Sequence, residues 1–239
     1  GRKRREVAQT AGRTSAAARW DSVLGMLGTL PLALGILASP IAVIPAILLL
    51  LGPRPLTTCV AFGLGWTGGL ALATGVAILL ADLIDAGAGT PAWLSWIRIV
   101  VGALLVLYGV VTWLRRDAQK EPPKWLTGIS ELAPGRAAVL GIGLATVNPK
   151  VLLLCVSAGL TIGTAGGTAS QQLVALLLFL LIGSIEVLLP LGAFLVAGER
   201  ATAPLLRGKT WLQDHGTSVV VVVVIVIGAV LIVSGARAL

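Results

Sequence analysis

The sequence predicts an all-α integral membrane protein of six transmembrane helices, arranged as two inverted three-helix repeats with broken first helices. Three observations carry this expectation. Of the 239 residues, 56% are hydrophobic and 12% charged, against roughly 45 to 50% and about 25% in soluble domains. The apolar residues fall in long blocks, each long enough to cross a hydrocarbon core about 30 Å thick. The first block of each half is interrupted by a polar residue followed by proline, Ser39-Pro40 in one and Asn148-Pro149 in the other.

Residues 1–22 form a polar, basic tail (Arg2, Lys3, Arg4, Arg5, Arg13 and Arg19) too poor in apolar groups to fold alone. The first repeat occupies residues 23–118. Its opening block, 23–51, far exceeds the 7 to 15 residues of a signal-peptide core and reads as a span. Blocks 56–81 and 97–114 complete the repeat. A basic loop, 119–136, leads to the second repeat, 137–239, with spans at 137–162, 173–196 and 218–234. None of these blocks has the alternating ten-residue pattern of a barrel strand. An odd number of spans per half requires the two halves to be inverted relative to each other, as in secondary transporters.

The formal net charge is +8, and the basic residues lie between the blocks. Arg54, then Arg116, Lys120 and Lys124, then Arg200, Arg207 and Lys209 occupy the odd-numbered connections. The even-numbered ones hold Asp82 and Asp85 in one case and no charge in the other. Positive loops stay in the cytoplasm, which places the odd-numbered loops there and both termini outside. The basic tail carries the opposite preference. No recognition motif supports a nucleic-acid partner; membrane lipids are the expected neighbours of this charge.

The candidate site is built around the two breaks. In continuous helices, Pro40, Pro45 and Pro149 would leave the carbonyls of Ile36, Ile41 and Ala145 without donors, and such groups must face protein, water or substrate. A packing kink accounts for one break; its recurrence favours breaks that line a substrate path. Lys150 brings a cation into a span at about 3 kcal/mol, which points either to an interior role or to snorkelling toward an interface. Thr146, Lys150, Ser157 and Thr161 recur at helical spacing on one face. Glu186 is the one carboxylate well inside a span, with Pro190 four residues on. It is expected near Lys150, as a proton carrier or ion-pair partner. Trp66 lies deeper than an interfacial aromatic should and is either packed or cavity-lining. The candidate substrate-binding set is therefore Ser39, Pro40, Trp66, Thr146, Asn148, Pro149, Lys150 and Glu186.

Other features point to packing. Gly65, Gly69 and Ala73 form a small-residue stripe, and Gly102 and Gly109 permit similar close approach. Trp93, Trp96, Trp113, Trp125 and Trp211 sit near predicted span ends. His215 is the sole histidine and no cluster of ligating residues marks a metal site. There is no phosphate-binding glycine loop, and Cys59 and Cys155 sit in no paired redox motif. The expectation is a protein that is neither an enzyme nor dependent on a cofactor or metal.

The segment Leu30-Pro31-Leu32-Ala33-Leu34-Gly35-Ile36-Leu37-Ala38-Ser39-Pro40, the Gly52-Pro53-Arg54 turn, Phe62-Gly63-Leu64-Gly65-Trp66 and Asn148-Pro149-Lys150 resemble the GAP family of peptidoglycolipid-addressing proteins, within the lysine-exporter (LysE) superfamily. The resemblance runs from about Leu30 to the C-terminus. It implies a 3+3 inverted-repeat exporter in a bacterial cytoplasmic membrane that moves a cell-envelope lipid or glycolipid, with Ser39, Pro40, Asn148, Pro149 and Lys150 around the breaks. The expected partners are a lipid or small-molecule substrate and either a second copy or an envelope-lipid biosynthesis protein. Two rivals remain: an exporter of amino acids or other small solutes, and a non-transporting scaffold docking through its basic loops.

Overall fold

The computed structural model describes residues 28–37, 40–85, 92–114, 126, 128–165 and 167–237. Ser39, the 1–22 tail and residues 119–125 and 127 of the 119–136 loop, with Lys120 and Lys124, lie outside them. Among the described residues all regular structure is helical: α1 (Leu30–Leu37), α2 (Pro40–Leu50), α3 (Pro55–Asp85), α4 (Ala92–Leu114), α5 (Pro134–Val147), α6 (Pro149–Gly163), α7 (Ala169–Ala197) and α8 (Thr202–Arg237). Short 3₁₀ turns occupy Ile129–Glu131 and Gly198–Ala201. Three helical stretches are long and apolar enough to cross a membrane, and the bent pairs α1–α2 and α5–α6 raise the number to five. α8 adds a shorter apolar stretch, Val221–Arg237.

The two breaks are sharper than kinks. α1 and α2 are bent by 48°, α5 and α6 by 69°. At the breaks expected at Ser39-Pro40 and Asn148-Pro149, Pro40 and Pro149 head new helices. At a first helical position the missing N–H is one that needs no intrahelical acceptor. Asn148 is extended, with ψ of 116°, as the residue before proline prefers. Pro45 and Pro190 do lie inside helices, α2 and α7, where the carbonyls of Ile41 and Glu186 lose their backbone donors.

α3 is the central post, packing on α5, α6, α7 and α2, while α7 also packs on α1 and α2, and α4 pairs with α8. Glycines set these approaches. Gly65 lies against the backbone of Ala138, and Gly141 against that of Phe62 and Trp66, so α3 and α5 touch almost backbone to backbone. Gly159 and Gly163 bring α6 onto α3 at Ala77 and Ala81. Between α4 and α8 the approach is reciprocal. A Cβ on Gly102 would lie 2.6 Å from the Gly228 carbonyl oxygen, and one on Gly228 2.7 Å from that of Gly102. Close small-residue contact of this kind replaces the hydrophobic drive that lipid cannot supply.

The outer surface is apolar as well. Leu64, Leu79, Leu107, Leu114, Leu189 and Val196 are all exposed, which suits helices facing acyl chains. Trp96 and Trp113 are exposed toward the two ends of α4. They are separated by about 26 Å of helix rise, close to a hydrocarbon thickness. One expected loop is absent. The 198–216 connection is helical, because Ala201 and Leu205 bury against the core and anchor the first turns of α8.

Gly228→Val is expected to destabilise the protein by about 1 to 3 kcal/mol, read as a lowered melting temperature in detergent. Gly68→Ala, where an added methyl meets nothing within 4 Å, should leave it unchanged or slightly raised. Equal effects from the two would contradict the α4–α8 contact.

Candidate functional site

Lys150 is the second residue of α6, directly after the break, and is 1% exposed. Glu186 lies midway along α7 and is 4% exposed. Both are therefore sheltered from lipid and water alike, and the snorkelling alternative for Lys150 does not hold. Neither Lys150 Nζ nor either Glu186 carboxylate oxygen has a hydrogen-bond partner. The two groups act on each other electrostatically, and the Ala42 backbone N–H also acts on the carboxylate, with geometry short of a full hydrogen bond. Ala42 is the third residue of α2, so its N–H is one of those a helix start leaves unpaired, at the positive end of the helix dipole. Glu186 is thus set between the beginnings of both post-break helices.

Asn148 builds the α6 end of this arrangement. Its side-chain Oδ1 accepts the N–H groups of Lys150 at 3.0 Å and Val151 at 3.3 Å, and its carbonyl accepts that of Leu152 at 2.9 Å. This N-cap fixes where α6 starts and hence where Lys150 stands on it. The α7 side is held from α3. Trp66 Nε1 donates to the Gly183 carbonyl at 3.0 Å, and the hydroxyls of Thr67 and Ser184 bond at 2.8 Å. Both bonds grip the turn before Glu186. Leu70 and Ile36 close over Gly183.

The remaining candidates divide. Trp66 is fully enclosed and hydrogen-bonded, a packed residue that positions α7 rather than a cavity wall. Thr146 belongs to α5, across the 69° bend from Lys150, so the four-residue polar face read along a straight helix is divided at the break. Its hydroxyl donates to the Ile142 carbonyl at 2.8 Å. Ser157 and Thr161 likewise donate to their own helix, to Leu153 at 2.8 Å and Ser157 at 2.7 Å. Pro149 is exposed. Ser39 lies outside the described residues; of Pro40, the backbone is described, as the start of α2.

Sequence reasoning missed the Ala42 N–H and the Thr67–Ser184 bond. The first was accessible from the proline two residues earlier, which marks a helix start; the second needed the pairing of α3 with α7. Among the described residues no group of three His, Cys, Asp or Glu side chains could hold a metal, and Cys59 and Cys155 are free, buried thiols. What the arrangement offers is a cation, a carboxylate and helix-end donors sealed inside an apolar bundle. Such a set can exchange an anion or hold a proton.

Residues 29–237 match the family model described as Sap, sulfolipid-1-addressing protein. The match includes both breaks, Lys150 and Glu186. No curated protein and no solved structure matches the chain.

Replacing Asn148 by alanine should cost about 1 kcal/mol through the lost cap, and Trp66→Phe about 1 kcal/mol through the lost indole hydrogen bond to the Gly183 carbonyl. Asn148→Asp should retain most of the stability. Thermal unfolding of the purified chain measures all three; an unchanged melting temperature for Asn148→Ala would remove the cap from the account.

Proposed function

We propose that this chain, which belongs to the Sap, sulfolipid-1-addressing protein family, is a secondary-type exporter that carries an anionic envelope glycolipid or its precursor across or out of a bacterial cytoplasmic membrane. The observation that carries the reading is the enclosed pair of Lys150, at the start of the helix that follows the second break, and Glu186, midway along α7 beside the start of the helix that follows the first. Ionisable groups at membrane depth are expensive and mark substrate or ion pathways. Broken helices whose N-termini face an anion are the transporter version of the helix-end anion site. The family name supplies the substrate class, a sulfated glycolipid whose headgroup would suit Lys150.

Six spans in two inverted repeats are part of this proposal. Exchanging the halves maps the α3 contacts with α5 and α6 onto the α7 contacts with α1 and α2, and the α4–α8 pair onto itself. The C-terminal apolar stretch of α8 supplies the sixth span. The odd-numbered loops face the cytoplasm in this reading, and a biosynthetic partner presents the lipid. Kinship with the LysE superfamily rests on the Asn148-Pro149-Lys150 element. With no phosphate-binding glycine loop in the sequence, an ion or solute gradient supplies the energy.

Transport by proteoliposomes, with sulfated glycolipid and amino acids compared side by side, tests the reading. The wild type should move the glycolipid, while Lys150→Ala and Glu186→Gln, confirmed as folded, should each lose at least tenfold in rate. Amino-acid transport alone would give the site to small solutes. Transport undiminished in Lys150→Ala would place the path elsewhere.

A further inference from the structure

Glu186 occupies the place a substrate anion would take. Its carboxylate is enclosed in the same bundle interior as Lys150, the one buried cation among the described residues, within reach of that charge and of the N-terminal N–H of α2 at Ala42. Both of its oxygens and Lys150 Nζ nevertheless lack hydrogen-bond partners. A permanent structural ion pair would be expected to satisfy these atoms, because an enclosed pair repays its desolvation only with close geometry and further hydrogen bonds. The loose contact is that of a group that can be replaced.

Resting on the exporter reading, we infer that Glu186 is a tethered competitor for the anion site at Lys150. The anionic headgroup of the substrate enters only when Glu186 takes up a proton. The exchange balances as one anion and one proton entering, with the Lys150–Glu186 pair becoming a Lys150–substrate pair beside a neutral Glu186 carboxyl. The interior charge is the same before and after, which avoids two anions facing one lysine in an apolar enclosure.

Few other titratable groups can answer Glu186. α1 and α2 contain none. α3 contributes the buried Cys59 thiol and, at its C-terminal end, Asp82 and Asp85; α6 contributes Lys150 itself and the buried Cys155 thiol. In the 3₁₀ turn after α7, Glu199 and Arg200 are exposed. Within α7, Glu186 is the sole charged residue. Proton uptake on anion entry therefore falls to Glu186.

Calorimetric titration of the purified full chain with octyl sulfate, in two buffers of different ionisation enthalpy, counts protons taken up per anion bound. Octyl glucoside is the uncharged control. For the wild type about one proton per anion is expected, with affinity falling roughly tenfold per pH unit over the pH range in which Glu186 is ionised in the free protein. Glu186→Gln should bind more tightly than wild type over the same range, with no proton uptake. Lys150→Gln should not bind, while Lys150→Arg should retain binding and proton uptake. Inorganic sulfate as a second probe separates the sources, since a site for lipid headgroups should prefer octyl sulfate. Binding without proton uptake, uptake retained in Glu186→Gln, or no binding by the wild type would each overturn the competitor role. Vesicle transport of glycolipid, measured separately, decides the exporter reading whichever way the titration falls.

Discussion

Lys150 and Glu186 stand where neither water nor acyl chains reach them, and much of the bundle serves to keep them there. A lone charge at that depth costs several kcal/mol, so each group requires the other. α6 must begin at Asn148 for Lys150 to stand where it does, α7 must be gripped by Trp66 and Thr67, and α2 must start close to the carboxylate. The prolines make this arrangement possible by starting helices rather than bending them. A continuous helix through Asn148 would carry Lys150 elsewhere and offer no free N–H groups.

The scaffold around the pair is assembled by contact rather than by hydrophobic burial. Lipid gives apolar side chains little reason to prefer the protein interior, so the helices meet where glycine lets backbones approach. Gly65, Gly141, Gly159 and Gly163 seat α3 against α5 and α6, and Gly102 and Gly228 seat α4 against α8. Leucine and valine are left to cover both inside and outside. This is why many large apolar side chains are exposed, and why an amphipathic pattern carries so little information in this chain.

The apolar blocks, the positions of both breaks and the proximity of Glu186 to Lys150 were legible in the sequence, because span length, proline chemistry and the cost of buried charge act locally. The sharpness of the breaks was not. Proline states which bond is missing, whereas the bend angle depends on how α5 and α6 pack on α3. The polar face of Thr146, Lys150, Ser157 and Thr161 assumed a straight helix and ends at the 69° turn. Trp66 could be placed at depth but not assigned to packing without Gly183 on another helix. The basic stretch at 198–216 read as a loop because its charges conceal the buried Ala201 and Leu205.

The central claim is that Lys150 and Glu186 compensate each other inside the bundle, and a double-mutant cycle on thermal stability measures this directly. Lys150→Met and Glu186→Leu should each destabilise the purified chain by on the order of 3 kcal/mol, each leaving one enclosed group without its counterpart. The double variant should recover most of that loss. A double variant destabilised by the sum of the two single effects would show that the groups do not interact, and the account of the site would be wrong.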